Sequence, residues 1–165
     1  MSENISTIIK YILTYYPHKD ELSASRLTKI LYLVDWKNSI ENGEQLTNSI
    51  WYYNHYGPYV EDFMKIAEED SDIEIKNESN VFGGKKRLLK MKNSCKVKIT
   101  LKQEEKQLVD FVINATKEKS YADFINLVYS TYPVLISDKY TQIDLVTLAC
   151  EYKKLKLKST KVKPI

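Results

Sequence analysis

Two histidines, two cysteines and thirteen tyrosines are the side chains of this sequence most readily put to chemical use. His18, His55, Cys95 and Cys150 would make four metal ligands on paper, yet no two of them have the close spacing of a zinc site. A triad built on His55 needs a nucleophile on a tight elbow and an acid to orient the ring. Serines and acids abound, but none stands in such a context. "FGGKKR", residues 82–87, lacks the GK[ST] that would hold phosphate and magnesium, and there is no GxGxxG. No catalytic residue, metal ligand or cofactor is therefore assigned.

The aromatic side chains crowd into one place, "IWYYNHYGPYVEDF", residues 50–63. In a strand, alternation puts Trp51 and Tyr53 on one face and Tyr52 on the other. One face must be core, where rings cover a helix and bond through their hydroxyls. The other leaves large rings for a partner surface, since Tyr and Trp dominate binding hot spots, or for a small-molecule pocket. His55 has two readings as well: a turn residue bonded to a neighbour, or a general base or pH-sensitive contact.

Charge is segregated behind a net +3. Residues 61–78 carry eight acids, and the paired acids there read as a solvated face. Residues 85–102 carry eight bases and no acid, beginning with Lys85, Lys86 and Arg87. Six more lysines follow Tyr152. Such a field steers a charged partner and says little about fold.

The elements that must position these residues are mostly helical. Ile5, Ile8, Ile9 and Ile12 mark a helix over residues 4–16, stopped by Pro17. Ser23 or Ser25 caps a second, ending at Asn42 with Gly43 beyond it. Its stripe is Ala24, Leu27, Ile30, Leu31 and Val34, but Tyr32, Leu33, Trp36 and Ile40 occupy the opposite side, which predicts a central helix or one reserved for a partner. After an extended segment over 46–54, Gly57-Pro58 is expected to open a third helix carrying Val60, Phe63, Met64 and Ala67. "IEIKNESNVF", "RLLKMK" and "KVKIT" read as strands between residues 73 and 100, with turns at "GGKK" and Asn93-Ser94. Thr100 and Gln103 suggest a capping box for a helix to Lys119 that buries Leu108, Phe111, Val112 and Ala115. Ser120 and Asp123 repeat the signature for a helix to Tyr129. A last helix over 142–156 turns Ile143, Val146, Ala149 and Cys150 inward.

The expected fold is mainly α within the α+β class: a compact bundle of five or six helices with a small antiparallel sheet or hairpin around residues 73–100. Residues 1–156 make one domain, and 157–165 a basic, frayed tail. An apolar fraction of 43% excludes wholesale disorder, and no apolar run approaches the ~20 residues that span a bilayer. "MSENISTIIK" has no basic n-region or cleavage site, so the expected location is the cytoplasm, without a membrane partner.

The order of elements resembles a known family. "RLTKILYLVDWKNSIENGEQLTNSIWYYNHYGPYVEDFMKIA", residues 26–67, is similar to the Panacea domain of SocA-like antitoxins. Thr28-Lys29-Ile30-Leu31-Tyr32 matches that family's "KLlYya" helix, Gly43 and Leu46 its exit turn, and Tyr56-Gly57-Pro58 its "yGPv" segment, although Tyr59 stands where valine is favoured. "YADFINLVYSTYPVLIS", residues 121–137, looks like its C-terminal half. The resemblance implies a small cytoplasmic bacterial or phage protein without enzymatic activity, which binds and neutralises a toxin encoded nearby.

The leading expectation is thus an antitoxin of the type II kind, acting by direct contact. Its anchors would be Trp51, Tyr53 and Tyr56, with Trp36 if the outer face of the second helix is open, and Lys85, Lys86 and Arg87 would be rim charges. The alternative is a nucleic-acid-binding regulator that uses the basic hairpin 85–102 and the lysine tail, although no helix is lined with base-reading Arg, Asn and Gln. An enzyme is third.

Overall fold

A computed structural model describes residues 2–79, 82–93 and 98–161. Among these, seven α-helices surround two small antiparallel sheets, the mainly helical α+β arrangement expected. Helix α1 (Ser2–Tyr15) turns Ile5, Ile8, Ile9 and Ile12 into the core and ends just before Pro17. A 3-10 turn, Lys19–Glu21, then leads to Ser23, whose side-chain oxygen accepts the Arg26 N–H at 3.2 Å and caps α2 (Ala24–Asn42). Gly43 closes α2 in the left-handed region at φ 74°, its N–H bonded to the Ser39 carbonyl.

Helix α2 is the axis of the molecule. Leu27, Ile30, Leu31, Tyr32, Leu33, Val34 and Trp36 point all round it and are all buried, as expected of a helix apolar on both sides. Around it pack α1, α4 (Gln103–Thr116), α7 (Leu145–Lys161) and strands of both sheets. The first sheet has the order β2–β1–β5, with β1 (Trp51–Asn54) central, β2 (Gly57–Tyr59) on one side and the two-residue β5 (Gln142–Ile143) on the other. The second is a hairpin of β3 (Ile73–Ser79) and β4 (Lys85–Met91), in register from Ile73↔Met91 to Ser79↔Lys85. It docks against the segment leading into α2, where the Leu89 N–H donates to the Leu22 carbonyl at 3.1 Å. Leu88 and Leu89 are both buried, so β4 is covered on both faces there, which is why its sequence does not alternate.

Several expectations change. Gly57-Pro58 does not open a helix. It forms the return strand of a tight hairpin whose two-residue turn is His55-Tyr56. Gly57 takes φ 96°, a conformation open to glycine, and Pro58 is tolerated because β2 is an edge strand. Helix α3 (Phe63–Glu69) starts later and leaves Val60 outside. Of the third expected strand, "KVKIT", residues 96–97 lie outside the described residues, and Lys98, Ile99 and Thr100 are not in a strand. Cys95 and the Asn93-Ser94 turn are likewise wholly or partly outside.

The α4 cap is Lys102, whose N–H donates to the Glu105 carboxylate, rather than Thr100. The buried stripe is Leu108, Val109, Val112, Ile113 and Thr116, so Leu108 and Val112 face inward as expected while Phe111 and Ala115 are exposed. Ser120 does cap α5 (Tyr121–Tyr129), by accepting the Asp123 N–H. A short α6 (Tyr132–Ile136) follows, started by Pro133 in its first turn. At the C-terminus Ile143 belongs to β5, Leu145 and Ala149 face inward, and Val146 and Cys150 are exposed. The stretch expected to fray from residue 157 is helical to Lys161.

Part of the acidic run is structural rather than solvated. Asp70 accepts a hydrogen bond from Ser6 and pairs with Lys10 at 3.3 Å, which ties α1 to the loop before β3.

Candidate partner-binding groove

The hairpin β1–β2 sends alternate side chains in opposite directions, and its inner face is spent on α2. Trp51 is 1% exposed; its indole N–H donates to the Asp35 carboxylate at 2.8 Å, and its ring meets Tyr32 edge-on. Tyr53 is 8% exposed and packs its edge on Tyr129 of α5. Trp36, at 7%, lies under Tyr152 of α7. These three expected anchors are therefore interior. Helix α7 covers the outer face of α2, and the strand's pleat aims 51 and 53 at the core. Tyr56, at the tip of the turn, is the exposed one of the four at 75%, with His55 edge-on beside it. The outer face keeps Tyr52 and its cross-strand partner Tyr59 at the surface, next to Ile50.

Asp35 organises the loop behind this hairpin. Its carboxylate accepts from the Thr47 N–H at 2.8 Å, the Thr47 hydroxyl and the Trp51 indole. Burial pushes its pKa up to about 6, and those hydrogen bonds hold it from rising further. The role is architectural: it fixes the strand that carries the turn.

The basic residues gather beside the first turn of α2. Lys85, Lys86 and Arg87 are exposed on β4 and line a cavity of about 850 Å³ with Glu21, Ser23, Arg26 and Tyr121. A second cavity, of about 260 Å³, lies beneath the hairpin turn between Lys29, Asn54, Tyr56, Pro58, Phe63 and Met64. Ala24, Ser25 and Met64 line both. The two cavities thus form one groove over the first turns of α2, with Tyr56 at one end and the basic strand at the other. The structure brings together Tyr56, Gly57 and Pro58 with Lys85, Lys86 and Arg87, and leaves Trp51, Tyr53, Trp36 and the helix-ending Gly43 out of it.

Sequence reasoning missed the groove's floor. Lys29 is 5% exposed, and its ammonium donates to Ser25 Oγ at 3.3 Å. Ser25 Oγ lies 3.0 Å from the Tyr121 hydroxyl. Burial alone lowers the Lys29 pKa to about 8. Its neighbour Arg26, also buried, is instead paired with the Glu21 carboxylate and donates as well to the Tyr16 hydroxyl and the Lys119 carbonyl. Gly57 closes over Lys29: a β-carbon there would stand 3.5 Å from Lys29 Cε and 3.3 Å from the Tyr129 hydroxyl. The one legible signal was a lysine embedded in a helix apolar on every side.

The basic strand is only loosely engaged. Lys86 reaches the Asp20 carbonyl at 3.4 Å and Arg87 the Glu68 carboxylate at 3.8 Å, both at the surface. Lys90 binds the Asp20 carboxylate at 2.9 Å, which holds that carboxyl below its usual range. Across the hairpin Glu78 faces Lys86 and Glu74 faces Lys90, so acids interleave with the bases.

The histidines do not join these groups. His55 Nδ1 is 3.4 Å from the Tyr140 hydroxyl, and His18 is 3.4 Å from Glu118, both exposed. Among the described residues no cluster of three or more His, Cys, Asp or Glu could hold a metal ion, and no helix is long and apolar enough to cross a membrane.

Neither the curated proteins nor the solved structures contain a match to this chain. A family model does match: the one described as antitoxin SocA-like, Panacea domain, over residues 27–133. That span runs from α2 to the start of α6 and holds Lys29, the hairpin turn and the basic strand, and the chain belongs to this antitoxin-like family.

Proposed function

We propose that this protein is the antitoxin of a type II pair, acting in the cytoplasm, and that it neutralises a co-encoded protein toxin by direct contact through the groove over α2. Membership of the SocA-like antitoxin family is the observation that carries the reading. The groove gives it a physical place: an exposed aromatic residue at one end, three exposed cations at the other, and a rigid central helix beneath. Binding alone suffices for the task, and no catalytic step is assigned.

The exposure of the expected residues supports a narrower role for the site. Tyr56 is the surface anchor and Lys85, Lys86 and Arg87 the rim, whereas Trp51, Tyr53 and Trp36 act by holding the frame. A nucleic-acid regulator is the weaker reading, because Glu74 and Glu78 stand directly across the hairpin from the lysines that would contact phosphates.

The test is co-expression with each neighbouring gene. One product should halt growth when expressed alone, be tolerated when this protein is present, and co-purify with it. If no neighbouring product is toxic or bound, the proposal fails.

A further inference from the structure

We propose that the cavity beneath the β1–β2 turn receives a carboxylate side chain from an acidic segment of a protein partner, with the Lys29 ammonium as its counter-charge and Lys85, Lys86 and Arg87 holding the flanking acids. This rests on the reading that a polypeptide docks in the groove, and adds the chemistry of what docks.

The first argument is an imbalance of charge. A buried ammonium is normally paired, because desolvation of an isolated charge is expensive. Lys29 is only 5% exposed, yet its hydrogen bond goes to a neutral hydroxyl on its own helix, and among the described residues no carboxylate forms an ion pair with it. The ammonium has three donors and Ser25 occupies one. Its lowered pKa fits a cation held without compensation. Glu21, the acid among the residues lining the groove, is engaged by Arg26 at 3.2 Å.

The second argument is the shape and lining of the cavity. Pro58, Phe63 and Met64 supply apolar walls, and Tyr56 stands at the mouth. A glutamate or aspartate side chain has a short apolar stem and a charged tip, which suits such walls above a single cation. The wider cavity continues from there along Lys85, Lys86 and Arg87, so neighbouring acids of the same segment meet further cations. A nucleic-acid backbone fits less well, with Glu78 across the hairpin from Lys86 and Glu74 across from Lys90.

The probe is a labelled hexaglutamate peptide, with hexaglutamine and oligothymidylate as controls, titrated at low salt against the wild type and Lys29→Met. Saturable binding of hexaglutamate, about tenfold or more weaker in Lys29→Met, is the expected result. A triple K85M/K86M/R87M variant should lose mainly the salt dependence. Equal binding by wild type and Lys29→Met overturns the proposal, since surface lysines then account for everything. So does tighter, Lys29-dependent binding of oligothymidylate.

Should Lys29→Met fold poorly by thermal melting, Cε-detected NMR of the wild type serves instead. Hexaglutamate should raise the Lys29 titration from about 8 back towards the ordinary lysine range; a midpoint that does not move overturns the proposal. In growth rescue, full protection by Lys29→Met would sink this inference and spare the antitoxin reading. Harmless neighbouring genes would sink the antitoxin reading and leave the peptide titration to decide this one.

Discussion

The indole N–H of Trp51 donates to the Asp35 carboxylate at 2.8 Å, which joins the strand that carries the exposed turn to the middle of the central helix. Asp35→Asn keeps an acceptor for the Thr47 N–H but turns an amide donor towards the indole or the Thr47 hydroxyl. Urea unfolding should show a loss of roughly 1–3 kcal/mol, the usual cost of a buried donor left without an acceptor.

Asp35 also sets a pH dependence. Its pKa is about 6 in the folded protein against 3.8 unfolded, so the folded state binds more protons between those values. Its contribution to stability therefore falls as pH rises from about 4 to 6, by about 3 kcal/mol in all, and is flat above. The margin of wild type over Asp35→Asn should narrow across that interval. A constant margin would contradict the assignment.

Lys29 gives the opposite slope. Its pKa is about 8 folded against 10.5 unfolded, so the unfolded chain binds more protons in between. Stability from this group rises with pH across that window, by about 3 kcal/mol. Lys29→Met keeps the apolar stem and removes the charge, so its melting temperature at pH 7 should exceed the wild type's, and the slope between pH 8 and 10.5 should vanish.

Gly57→Ala tests the closeness of the turn to α2. At φ 96° a β-carbon is strained, and it would stand 3.3 Å from the Tyr129 hydroxyl. The expected loss is roughly 1–3 kcal/mol by denaturant unfolding. Tyr129→Phe removes the hydroxyl contact but leaves the ring carbon at 3.4 Å and the backbone strain, so the double variant should recover part of the loss, never all of it.

Trp51→Ala and Tyr56→Ala should separate frame from surface. The first opens a cavity in the core and should cost roughly 3–5 kcal/mol. The second should change stability by less than about 0.5 kcal/mol, while weakening capture of the co-encoded toxin by about tenfold or more in a titration.

Local rules explain what was legible in the chain. The Ser23 and Ser120 caps, the Gly43 stop, the all-round burial of α2 and the β3–β4 pairing each depend on a few neighbouring residues with one physical solution. The family was equally legible, because its motif lies in the continuous run from Arg26 to Ala67.

Contacts between distant parts of the chain decided the rest. Gly57-Pro58 suits a helix start as well as an edge strand, and pairing with Trp51–Asn54 selected the strand. Trp36 and Tyr53 are rings of the kind that partners use, and Tyr152 and Tyr129, from helices far along the chain, claimed them first. Lys29 became the floor of a groove only because the hairpin turn and α3 close over one turn of α2 and place no acid among the residues that line the cavity there. Side-chain type fixes what a residue is able to do, but exposure and counter-charge belong to the assembled neighbours, and those are set by packing across the whole chain.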